Sequence, residues 1–235
     1  MDANALFREG RLAEAISALN EMLRSDPTDL RSRTFLFELL CFSGDLDRAH
    51  KQLDAISASD PERHLAAFGY REALRSEEQR REMFKTGELP DAGSSPSALT
   101  GTLNGEPFQD LTDADPRIGA RLEVIVGGRY TWMPFEHLVS VTIDPPTNLR
   151  DLFWALAEVK TSPALGNYEG PVMLPVLTPL AGEHPDEAIR LGRVTEWQEI
   201  DDSDEAPVGQ KLLLADDEVF PFLEVREIVI HPAGS

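Results

Sequence analysis

The chain predicts an α+β protein in which tetratricopeptide-like α-helical repeats precede a β-rich α+β domain. Three observations carry this. The amino-terminal part repeats itself at a spacing of 34: Gly10 returns as Gly44, Leu12 as Leu46, Ala15 as Ala49, Leu19 as Leu53, Met22 as Ile56, and Asp26-Pro27 as Asp60-Pro61. That is the tetratricopeptide period, a helix–turn–helix unit that buries its apolar face only against a neighbour. Residues 30–42, LRSRTFLFELLCF, are apolar around most of a helical circumference, so this helix must be covered on more than one side. Beyond residue 100 the texture changes to short alternating apolar runs broken by Gly and Pro, the pattern of strands and tight turns.

Taken in order, residues 3–9 form the remnant of a first helix in a truncated repeat. Residues 12–24 place Leu12, Ala15, Ile16, Leu19, Met22 and Leu23 on one helical stripe. Gly10 and Gly44 suit the turns between helices, and Pro27 and Pro61 stop the second helix of each unit because proline has no N–H to donate. A third pair is expected at 62–75 and 77–85, its second member mostly charged and so facing solvent as a cap. Residues 87–100, GELPDAGSSPSALT, lack periodicity and read as a linker. The chain therefore divides into a helical repeat domain over 1–86, the linker, and a β-rich domain over 101–235. In the latter, 122–126 and 130–135 flank Gly127-Gly128 as a hairpin, since two glycines supply the positive φ values of a tight turn. Further strands are expected at 138–143, 155–160, 171–178, 195–200, 211–215 and 219–230, the last broken near Pro221. A short helix is expected at 186–192, opened by acidic residues.

Composition narrows the partners. The 235 residues carry 22 Lys+Arg against 42 Asp+Glu, a formal net charge of -20, of which -5 falls in 1–100 and -15 in 101–235. Such a field repels phosphate backbones and anionic membrane surfaces and attracts a basic protein surface. No nucleic-acid partner and no membrane insertion are expected. Cys41 is the only cysteine and lies in the most apolar helix, so it reads as a buried core thiol. The opening residues MDANALFREGR show no signal-peptide pattern, and a cytoplasmic protein is expected.

Chemistry-bearing constellations are missing from the sequence. There is no phosphate-binding Gly-rich loop followed by Lys-Ser/Thr, no HExxH, no paired Cys and no nucleophile elbow. The histidines at 50, 64, 137, 184 and 231 are scattered, and the acidic run 201–205 lacks the glycine and closing glutamate of a calcium loop. No cofactor, metal or catalytic residue is expected. Trp132, Trp154 and Trp197, with Tyr130, Phe135, Phe153 and Phe222, read as core aromatics of the second domain. Arg193 and Glu196, beside Trp197, could form either a buried bridge or a binding feature.

The blocks LRSRTFLFELLCFSGDLDRAHKQLDAI, NGEPFQDLTDADPRIGARLEVIVGGRYTWMPFEHL, PPTNLRDLFWA, RLGRVTEWQE and FLEVREI span nearly the whole chain. Together they resemble the ImpE/TagJ family of type VI secretion accessory proteins, although the segment 86–103 is shorter here than the family pattern. The resemblance implies a non-enzymatic adaptor whose partners are the contractile sheath, through its smaller subunit, and the ClpV-type AAA+ ATPase that disassembles it. The repeats themselves offer a groove for a helix or extended peptide. Its candidate lining on the 30–42 helix is Arg31, Thr34, Glu38 and Phe42. Two other readings compete. A generic tetratricopeptide cochaperone or scaffold would need the Lys and Asn of a carboxylate clamp where Thr34 and Glu38 stand. An enzyme would need a site around Arg193, Glu196 and Asp217.

Overall fold

The structure is a computed structural model, and it describes residues 2–58, 61–90, 99–200 and 204–231, with backbone alone at 61–63, 65 and 66. Five helices come first: α1 (Ala3–Arg8), α2 (Leu12–Ser25), α3 (Leu30–Phe42), α4 (Leu46–Ser57) and α5 (Pro61–Thr86). The repeat is visible in burial. Leu12, Ala15, Ile16 and Leu19 of α2 are buried, as are Leu46, Ala49, Leu53 and Ile56 of α4, all on one stripe per helix. Asp29 caps α3 by accepting from the N–H groups of Arg31 and Ser32, and Asp45 caps α4 by accepting from that of Arg48. Between them, α3 buries Leu36, Phe37, Leu39, Leu40, Cys41 and Phe42, so it is covered on several sides as its sequence requires. The turns before α2 and α4 place Gly10 and Gly44 at φ +82° and +73°, a region that costs glycine nothing.

The expected third pair is instead the single 26-residue helix α5. No Gly or Pro separates 75 from 77, and Ser76, rather than capping a new helix, is buried and donates to the Gly128 carbonyl. The charged half expected to face water is instead laid on a sheet, burying Ser76, Glu77, Arg80 and Phe84.

That sheet has eight antiparallel strands in the order β2-β1-β13-β6-β7-β8-β4-β5. They are β1 (Gly101–Leu103), β2 (Glu106–Phe108), β4 (Arg121–Val126), β5 (Arg129–Pro134), β6 (Leu138–Ile143), β7 (Trp154–Thr161), β8 (Glu169–Pro175) and β13 (Glu227–Ile230). A second sheet joins β3 (Leu111–Asp113), β11 (Leu212–Ala215) and β12 (Glu218–Pro221), and β9 (Glu196–Glu199) pairs with β10 (Glu205–Val208). The short helix α6 (Glu187–Arg190) is capped by Asp186. Strands β1, β2, β3 and β10 were not expected from the sequence. Three are only three residues long, too short for alternation to show, and β10 begins at Glu205, the last residue of the acidic run. The strand expected over 171–178 ends at Pro175, after which Leu177 forms a lone bridge with Gln210.

Helices and sheet share one hydrophobic core. Phe42 meets Phe153 edge-on at 5.4 Å, Tyr70 stacks on Trp154 at 6.2 Å, and Phe84 lies 6.1 Å from Trp132. Trp132 and Trp154 are thus core residues, whereas Trp197 on β9 is 45% exposed and departs from the core reading. Its strand belongs to a two-stranded sheet with every β9 residue exposed, so there is no core for it to enter.

Candidate functional site

The candidate groove residues lie along α3. Arg31 is exposed and Thr34 is half-buried, its hydroxyl donating back to the Leu30 carbonyl at 2.8 Å. Glu38, also half-buried, faces the short 3-10 turn Leu149–Leu152. Burial pushes the Glu38 carboxyl up to about 7, Arg150 opposing and Asp151 reinforcing the shift. Arg150 also sits over the Tyr70 ring at 5.3 Å. The structure therefore brings Glu38 to Tyr70, Arg150 and Asp151, a pairing of repeat and sheet that spacing could not show. Phe42 is only 1% exposed and packs on Phe153, so of the four expected lining residues it is the one that the core encloses.

The residues of the enzyme reading are dispersed over separate tasks. Arg193 donates to the carbonyls of Phe7 and Arg8 at 2.6 and 3.0 Å and lies over the Phe7 ring. Glu196 is paired with His184 at 2.9 Å. Asp217 lies in the turn between β11 and β12. Arg193 is thus a tie between the two parts of the chain, binding the last carbonyls of α1 where a cation complements the helix end. Glu187 does the reciprocal work, accepting from the Leu12 and Ala13 N–H groups at the start of α2, 2.8 Å each. The second repeat turn is held likewise: Arg81 donates to the Gly44 carbonyl and pairs with Glu183, both at 2.7 Å, and a Cβ on Gly44 would meet the Gly182 carbonyl at 3.1 Å. Both repeat turns thus seat on the same stretch, 182–193.

Deeper in the interface is a charge cluster that the sequence reading missed. Arg80 grips Glu123 with two bonds, Nε–Oε1 2.7 Å and Nη2–Oε2 2.9 Å, and also donates to Glu77 and to the Leu177 carbonyl, 2.9 Å each. Lys211 Nζ lies 2.5 Å from Glu123 and 2.7 Å from Asp113, the latter in ion-pair contact without hydrogen-bond alignment. The Tyr130 hydroxyl donates to Glu123 at 2.5 Å and in turn accepts from the Trp132 indole. All five charged groups are buried. Burial opposes ionisation of Glu123, but Arg80 and Lys211 outweigh it and hold the carboxyl well below its usual range. Asp113 goes the other way: burial pushes it up to about 6 despite Lys211, with Glu123 adding repulsion. The one sequence signal was Glu123 itself, a lone charge in LEVIV whose neighbours on both sides are buried.

The family model described as ImpE protein matches residues 105–229, and one described as tetratricopeptide repeat matches residues 6–68. A Pseudomonas aeruginosa protein described as type VI secretion system accessory component TagJ is 34% identical to this chain, over all of it and 93% of the relative. The chain belongs to the ImpE family. A protein of Vibrio parahaemolyticus of known crystal structure shares the fold, with a TM-score of 0.85 over 97% of both chains at 22% identity. Both parts of the ImpE protein, helices and sheet, are thus present together in that neighbour. Among the described residues, no helix is long and apolar enough to cross a membrane.

Proposed function

We propose that this protein is a non-enzymatic adaptor of the type VI secretion system, binding the small subunit of the contractile sheath and the ClpV-type AAA+ ATPase that disassembles it. The observation that carries the reading is the full-length likeness to an accessory component of that system. Three features support it. The repeats present Arg31, Thr34 and Glu38 along one face of α3, the scaffold is anchored to a sheet rather than free to flex, and the net charge of -20 favours a basic partner surface. Arg193 is bonded to α1 and Glu196 to His184, while Asp217 sits apart in the β11–β12 turn, which gives the enzyme reading no convergent site. The test measures association and dissociation rates with purified sheath small subunit and with the ATPase as salt is raised. The Debye length shortens from about 10 Å at 0.1 M to about 3 Å at 1 M, so the association rate should fall more than the dissociation rate rises. No binding to either partner at low salt would overturn the adaptor function.

A further inference from the structure

β9 is the outer member of a two-stranded sheet: it pairs with β10 on one side and with no other described strand. The parity of that pairing fixes what its other side carries. Ile200, just past β9, donates its N–H to the Asp204 carbonyl at 3.0 Å, so 200/204 is a hydrogen-bonded pair and, by the alternation of an antiparallel ladder, so are 198/206 and 196/208. Trp197 and Glu199 therefore turn their N–H and C=O groups away from β10. Pro207, with no N–H to donate, sits opposite Trp197, where the ladder asks for none. Among the described residues nothing pairs with the outward groups of Trp197 and Glu199. The outer side of β9 is an open edge, the template to which an extended chain adds.

Trp197, Glu199 and Glu205 are side chains that the fold itself does not explain. The register puts all three on one face of the sheet. Trp197 is 45% exposed and lies outside the shared core. Glu199 and Glu205 stand directly opposite each other, a like-charge pair that weakens a sheet, and among the described residues neither has an ion-pair partner. Glu196, on the opposite face, is by contrast bound to His184. Two carboxylates beside an indole face are complementary to Lys or Arg, which pairs with the first and is attracted to the second. The same charge repels a second copy of this chain, whose net charge is -20, so the edge is guarded against pairing with itself.

We propose that the outer edge of β9 takes up an extended basic segment of a partner protein, which adds to the β9–β10 sheet as a third strand. Residues of that strand opposite Trp197 and Glu199 are two apart and share their face, so the segment carries Lys or Arg at alternate positions. One cation lies against the indole and the next reaches the carboxylate pair. The N–H and C=O groups of the same two residues bond to the edge, and α3 takes no part.

The test uses the full chain and a synthetic peptide alternating threonine and lysine. N-methylation at every lysine removes the N–H groups that would face β9, and N-methylation at every threonine removes those that face away. The lysine-methylated peptide and a threonine–glutamate peptide should bind at least about tenfold more weakly than the parent, and the threonine-methylated peptide about equally well. Trp197→Ala, at an exposed position, should weaken parent binding about threefold with little change in melting temperature. Glu199→Gln removes the carboxylate alone and should cost about threefold. Glu199→Pro also removes the outward N–H, leaving the bonds to β10 untouched, and should cost about a further fivefold. Absence of binding, equal affinity for the two methylated peptides, or equal affinity of the Gln and Pro variants would overturn the proposal. So would a native dimer that Glu199→Pro dissolves, since the occupant would then be a second copy.

Discussion

Arg80 is enclosed by three carboxylate contacts and a carbonyl, and none of its donors reaches water. Removing it takes from Glu77 its cation and leaves Glu123 with Lys211 alone to offset its buried charge, the situation in which breaking an ion pair costs about 3 to 5 kcal/mol. Arg80→Met should therefore lower unfolding stability by that amount in urea denaturation, and a loss under about 1 kcal/mol would show that water reaches the cluster. Asp113 makes a prediction of opposite character. Its folded pKa of about 6 exceeds the ordinary value of 3.8, so its contribution to stability is fully present below about pH 4 and is lost as pH rises through 6. Glu123, held low, contributes stability above the ordinary carboxylate pKa and keeps it through this window. Asp113→Asn removes the first effect only. Between pH 4 and 7 the urea midpoint of the variant should gain steadily on the native protein; parallel profiles would contradict the assignment. None of this cluster was legible in the chain beyond Glu123. Arg80 and Glu77 read as a solvated helix face, because the groups that bury Arg80, Glu123 on β4 and the Leu177 carbonyl, lie 43 and 97 residues away.

At the scale of elements, what could be read locally was read well. The 34-residue repeat fixes α2 and α4 by matching positions, and α3 coincides with its expected limits because its apolar surround and the Asp29 cap are both written within the segment. Leu39, fully buried at the centre of α3, should cost about 2 to 5 kcal/mol when cut to alanine. Phe35 should cost less, since it is only partly buried and packs on Phe7 at 5.8 Å. Equal losses at the two positions would mean that α3 is enclosed evenly, contrary to the packing described. The reading failed where an element depends on what covers it. The second half of α5 has the composition of an exposed cap, and only the sheet beneath it, with Glu123 and Tyr130 aimed upward, turns its charges inward. Likewise β1 acquires strand geometry by filling the place between β2 and β13, with Gly101 so close to the Val229 carbonyl that no side chain fits.

For the whole molecule, the question is how far the two textures of the chain behave as two units. We propose the division at 87–100 on the sequence, where Gly, Ser and Pro occur without an apolar period, the composition at which proteolysis concentrates; residues 91–98 of this stretch lie outside the described residues. Limited proteolysis should cut there first. Initial cutting within 122–143 would overturn the division. The structure adds a second expectation, because cutting the chain does not cut the interface. The Arg193 and Glu187 ties to the first repeat turn, the Gly44 contact at the second, the aromatic pairs and the Arg80 cluster all join the helices to the sheet. The nicked fragments should therefore elute together from a sizing column at neutral pH. Nicked Arg80→Met protein, with the buried cluster broken, should come apart at a lower urea concentration than the nicked native protein. If the fragments separate without denaturant, the helical repeats are a mobile arm and not, as the packing indicates, a scaffold held at one angle to the sheet.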